Sequence, residues 1–114
     1  MVEVREYLDR GGRSPFGDWT DGLNREAAVK VAAALARIHQ GNFSSAKGVG
    51  AGVHEYRIDF GPGYRIYFGK DGERLVILVG GGTKKRQQED IGTALARWQD
   101  YKERKKQGRR PTWL

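Results

Sequence analysis

Two arginines interrupt a run of large apolar residues in HEYRIDFGPGYRIYFG, residues 54–69. Arg57 and Arg65 flank Gly61-Pro62-Gly63, a turn sequence between two alternating segments. Burying a guanidinium is costly, so the pair is informative if both side chains leave the core on the same side. Two fixed cations placed that way can reach one anionic ligand. Further on, GGGTKK carries Lys84 and Lys85 behind three glycines. Consecutive glycines leading into a helix can expose backbone N–H groups to a phosphate, and two lysines add charge. The spacing lacks the longer Walker A loop ending in Gly-Lys-Ser/Thr. A flexible turn would account for the glycines but not for both lysines, which suits a phosphate cradle.

The period of two fixes the direction of these side chains. With Gly61-Pro62-Gly63 as the loop, Phe60 is expected opposite Tyr64, Ile58 opposite Ile66, and Tyr56 opposite Phe68, all on the core face. Asp59 then faces Arg65 and Arg57 faces Tyr67 on the other side, with Glu55 further out. Arg57 and Arg65 become diagonal neighbours on an uncovered sheet face. A slip of one residue would bury them, and the apolar pattern opposes it. Taken alone, this hairpin also fits an ordinary solvated face with a cross-strand Asp59–Arg65 pair.

The elements that must hold these residues follow from the rest of the chain. Val2 to Tyr7 alternates like a strand. Ser14-Pro15 is a helix start, and Phe16, Trp19 and Leu23 share a face behind it. Asn24 can cap a second helix with Ala28, Val31, Leu35 and Ile38 as its stripe, stopping near Gly41. Residues 44–52 read as a glycine-rich connector. Strands follow at about 53–60, 64–69 and 74–80. A third helix then runs from Arg86 towards Lys106, carrying Ile91, Leu95, Trp98 and Tyr101. The aromatic residues Phe16, Trp19, Trp98 and Tyr101 fall at core spacing and are read as packing. The expectation is one α+β domain over residues 1–106, an antiparallel meander with the helices on one face, and a basic tail over 107–114.

Composition narrows the partners. The 114 residues contain 21 Lys and Arg against 14 Asp and Glu, a net charge of +7 with a pI near 9.9. Such a balance suits a polyanion or an acidic protein, or else serves solubility. The absence of cysteine removes disulfides and thiolate metal sites, and fits a cytoplasmic setting. Neither a signal peptide nor a membrane span is visible.

The phrases GVHEYRIDFGPGYRIYF and LVILVGGGTKKRQQEDIGTALARWQDY, with SPFGDWTDGLN upstream, resemble the RelE/ParE toxin superfamily. The likeness is nearest to its addiction-module killer, HigB-like branch and spans residues 2–104. The resemblance implies a compact RelE/ParE-like fold and the toxin of a type II toxin–antitoxin system. Most RelE-like and HigB-like members cleave mRNA on the ribosome without a metal or other cofactor; ParE-like members inhibit DNA gyrase without being enzymes. In the cleavage, the ribose 2′-hydroxyl attacks the adjacent phosphate, and fixed cations stabilise the phosphorane, each worth about 2.7–4 kcal/mol by analogy with oxyanion donors. The implied partners are a cognate antitoxin, commonly helix-turn-helix, with operator DNA bound only through that complex, and ribosome-bound mRNA. Carried over by motif, Arg65, Arg57, Lys84 and Lys85 are the catalytic cations and His54 the general base. Tyr67, Arg86 and Asp90 contact RNA around them. The chain departs from the family at Ile91, where a tyrosine is common, which also admits a decayed, RNA-binding member.

Overall fold

A computed structural model describes residues 1–108. The order is β1 (Glu3–Glu6), α1 (Pro15–Asp21), α2 (Arg25–His39), β2 (Ala46–Gly50), β3 (Val53–Ile58), β4 (Tyr64–Lys70), β5 (Leu75–Thr83), a 3-10 turn (Lys84–Arg86) and α3 (Gln87–Lys106). Residues 109–114, most of the expected tail, lie outside the described residues. No described helix is long and apolar enough to cross a membrane.

The caps work as their residue types require. Ser14 Oγ accepts from the Gly17 N–H ahead of Pro15, and Asn24 Oδ1 accepts from the Ala27 N–H at 2.9 Å. The buried stripe of α2 is Ala27, Val31, Ala34 and Ile38, with Leu35 packed beside it and Ala28 exposed. Ala is small enough to sit on either side of the stripe, so its position was not fixed by the period.

The α+β class holds, but the sheet is mixed and has an extra strand. Strand order is β1-β5-β4-β3-β2, with β1 parallel to β5 and the rest antiparallel. The connector expected over 44–52 contains β2, which forms a hairpin with β3 through a bulge at Gly48–Gly50. Glycines supply no side-chain alternation, which hid this strand. β5 continues through Gly80–Gly82 to Thr83, beyond the expected end near 80.

Helices cover both faces, not one. α1 and α2 bury Phe16, Val31, Ala34 and Ile38 against Tyr56, Ile66, Phe68, Val76 and Leu78. α3 buries Ala94, Trp98 and Tyr101 against Tyr7, Val53, Tyr67, Ile77 and Val79 on the reverse side. The near-continuous apolar run of β4 and β5 is the physical reason, since a strand covered on both faces loses its alternation.

The β3–β4 register differs from the expected one by two residues. Ile58 pairs with Tyr64, Arg57 with Arg65, Tyr56 with Ile66 and Glu55 with Tyr67. The chain leaves β3 at Asp59 and turns over residues 59–63, with the Gly63 N–H donating to the Phe60 carbonyl at 2.9 Å. Gly61 and Gly63 take φ of 54° and 80°, a left-handed conformation that suits glycine. A shift of two keeps every side chain on its expected face and turns the arginines from diagonal neighbours into direct cross-strand neighbours.

Candidate phosphate-binding site

The turn between β3 and β4 and the end of β5 enclose a cavity of about 300 Å³. Arg57, Arg65 and Lys84 line it, together with Asp59 and the 60–63 loop. The Lys84 N–H donates to the Gly63 carbonyl at 2.9 Å, which ties the lysine's backbone to the loop. Arg57 and Asp59 also border a shallow neighbouring cavity with Ser44, Ser45 and Lys47. Three cations of separate origin in the sequence thus converge on one opening.

The two arginines are not equivalent. Arg57 is exposed, whereas Arg65 is 5% exposed, so the expectation that neither is buried fails for Arg65. Its compensation is Glu55, itself fully buried, whose Oε2 lies 3.6 Å from Arg65 Nε. Glu55 also accepts from the Tyr67 hydroxyl at 3.2 Å and from Gln87 Nε2 at 2.8 Å. Burial, then the Glu55 charge and hydrogen bond, push the Tyr67 phenol well above its ordinary pKa. The far end of Arg65 reaches the Gly63 carbonyl, Nη1 to oxygen 3.4 Å, at the edge of the cavity. Glu55 Oε1 and Arg65 Nε have no hydrogen-bond partner among the described residues, so the hydrogen-bonding capacity of this buried network is not fully used.

The remaining expected residues divide. Tyr67, Arg86 and Asp90 line a second cavity on the other side of the Lys84–Arg86 turn. Lys85 is exposed on that turn and lines neither cavity. His54 is not brought to the arginines. It lies on the α1–α2 side of the sheet, stacked on Phe68 with ring centroids 5.3 Å apart. Burial, then the Lys70 charge, hold its imidazole below the usual pKa. Alternation itself places residue 54 opposite in direction to 55 and 57, a signal legible in the sequence. Ile91, at the family's tyrosine position, packs half-buried against the α3 cluster.

Sequence reasoning missed Glu55 as the hub, because a carboxylate on a presumed open face has no reason to be special. It also missed Gln87, whose contact depends on where α3 crosses the sheet. Asp59, expected to pair with Arg65, instead supplies the carboxylate of the cavity. A larger cavity of about 430 Å³ lies at the far end of β4. The carboxylate there, Asp71, already receives Lys105 and Tyr101, and these bonds outweigh burial to keep its pKa low.

No family model matches the chain. It is 42% identical over 80 residues to an uncharacterized protein of Haemophilus influenzae, an alignment covering 69% of this chain and 81% of that protein. The chain belongs to that protein's family. It is also 31% identical over 83 residues to a glycogen synthase of Cereibacter sphaeroides, but it spans 17% of that enzyme's length. That likeness concerns a segment of the synthase.

Proposed function

We propose that the protein is a RelE/ParE-like toxin of a type II toxin–antitoxin pair, acting in the cytoplasm as a metal-independent, ribosome-dependent endoribonuclease. The observation that carries this reading is the convergence of Arg57, Arg65 and Lys84 on one cavity that also holds Asp59. Arg57 and Lys84 are exposed and meet the phosphate oxygens, and Arg65 beneath them is fixed by Glu55. In the reaction the 2′-hydroxyl gives its proton to Asp59, taking the role first expected of His54. The 2′-oxygen bonds to phosphorus as the phosphorus–5′-oxygen bond breaks, and the leaving 5′-oxygen takes a proton from water. Products are a 2′,3′-cyclic phosphate and a 5′-hydroxyl. An antitoxin covering this basic opening would silence it.

A second reading, a ParE-like inhibitor of gyrase, is favoured by one observation. The Tyr67 hydroxyl is committed to Glu55 and a tyrosine is missing at Ile91, so the phenol chemistry of related nucleases has no seat here. Pulse labelling after brief induction separates the two. Arg57→Ala is the informative variant, because removing Arg65 would strand a buried carboxylate. Translation arrest with truncated messages in the wild type, lost in Arg57→Ala, supports cleavage. Stalled replication with translation intact supports the gyrase reading. No effect on either process sinks both.

A further inference from the structure

The shallow cavity beside the phosphate site, about 310 Å³, is lined by Ser44, Ser45, Ala46, Lys47, Arg57 and Asp59. Arg57 and Asp59 line the phosphate cavity as well, so the two openings share a wall and form one groove. Its direction follows from the sheet register. Arg57 pairs with Arg65, and Arg65 with Gly82. On the other side the Arg57 N–H donates to the Ser45 carbonyl at 3.2 Å, which carries the β2–β3 ladder one step further. Residues directly opposite one another share a face, so Ser45, Arg57, Arg65 and Gly82 form a row from the start of β2 to β5. Three inter-strand steps of roughly 4.8 Å make that row about 14 Å long.

A lysine stands at each end. Lys47 follows Ser45 by two residues and so shares its face. At the other end a Cβ built on Gly63 would lie 3.4 Å from Arg65 Nη1 and 3.5 Å from Lys84 Cβ, so the loop brings those two cations together. The exposed charges are uncommitted. Among the described residues Lys47, Arg57 and Lys84 make no ion pair or side-chain hydrogen bond, whereas Arg13, Arg86 and Lys105 elsewhere on the surface each have a carboxylate. Lys47 lies opposite Glu55 in the register, but that carboxylate is taken by Arg65, Tyr67 and Gln87. The Ser44 and Ser45 hydroxyls are likewise unengaged among the described residues.

A line of unpaired cations with hydroxyls at one end suits a ligand that repeats its negative charge. Lys, Arg and Ser contact phosphate and sugar oxygens and carry no base information. The Ser44–Lys47 cavity has no aromatic ring on which a base could stack, and Ala46 is too small to anchor a partner protein's side chain. Asp59, the one carboxylate lining either cavity, sits on the shared wall as the base of the proposed reaction. We infer that the groove binds single-stranded RNA over two successive phosphates, with Lys47, Ser44 and Ser45 holding the one next to the phosphate at Arg57 and Lys84, whatever the base. The inference rests on the RNA reading above.

Binding of short oligouridylate and oligoadenylate, made uncleavable by 2′-fluoro substitution, to the full-length protein across a salt series tests it. Log affinity should fall linearly with log salt, and Lys47→Gln should reduce the slope by about 0.7, the share of one phosphate contact on a single strand. Both sequences should lose affinity alike. Arg57→Ala, on the shared wall, should lower the slope at least as much. Lys102→Gln removes the same charge at the far end of β4 and should leave the slope unchanged. A wild-type slope in Lys47→Gln, with Arg57→Ala still lowering it, overturns the inference and leaves the RNA reading in place. An equal loss in Lys102→Gln overturns it as well, making the binding a diffuse effect of net charge. Failure of the wild type to bind either oligonucleotide overturns both, and binding of polyglutamate instead would assign the groove to an acidic protein. Lys47-dependent binding in a protein that cuts no RNA in cells upholds the groove and removes the nuclease.

Discussion

On the α1–α2 face, Tyr56, Ile66, Phe68, Val76 and Leu78 meet an apolar helical stripe, with Ile66 and Phe68 fully buried. The α3 face begins the same way with Val53, Ile77 and Val79, then changes towards the β3–β4 turn. There Glu55 and Arg65 replace aliphatic residues, and Gly80 and Gly82 of β5 replace side chains altogether. The first face is optimised for burial; the second gives up burial at one end to hold charge and empty volume. The difference teaches that the Glu55–Arg65 pair is not there for stability alone, since an apolar pair of similar shape would serve stability as well or better.

The strongest way to break the comparison is on the apolar face. Phe68→Ala should cost about 3–5 kcal/mol in urea denaturation, through lost burial and the cavity left behind. It should leave nucleotide binding by the surviving folded fraction unchanged, because Phe68 lines neither cavity. A binding defect at full folding would mean the faces are coupled.

On the polar face, Glu55→Ala should be destabilising by about 3 kcal/mol, because it strands the Arg65 guanidinium in the interior. The double variant Glu55→Leu/Arg65→Met should recover most of that loss in the same assay. It should still fail to arrest growth. Recovery of toxicity together with stability would show that the ion pair has no part in the site.

Smaller effects come from groups that serve one face only. Asn24→Ala removes the cap of α2 and should cost about 1 kcal/mol without touching toxicity. The smallest concerns His54, whose pKa is depressed in the folded protein. The unfolded chain therefore binds its proton first as the pH falls, so stability contributed above pH ~6.5 is lost on acidification through the folded pKa. His54→Gln should flatten that part of the stability–pH curve. An unchanged curve would remove the burial of His54 from the account.

Much of the scaffold was legible in the chain because it is local. Ser14-Pro15 and Asn24 announce their helices through backbone donors a few residues away, and alternation in residues 54–58 and 64–68 sets which side chains share a face. Even the shifted register did not disturb that, because a slip of two residues preserves the period. The strand at Ala46–Gly50 stayed hidden because glycine carries no pattern.

The sequence by itself determined the cations, their faces, the caps and the α+β class, since each follows from residue type and short-range periodicity. Tertiary structure alone decided that α3 crosses the reverse face, and with it that Arg65 is buried, that Glu55 becomes its counter-charge, and that Trp19 and Asp90 lie against bare glycine backbone on opposite faces of β5. Those outcomes depend on which distant segments share a volume, and the dielectric and the empty space around a side chain are set by that sharing, not by its neighbours in the chain.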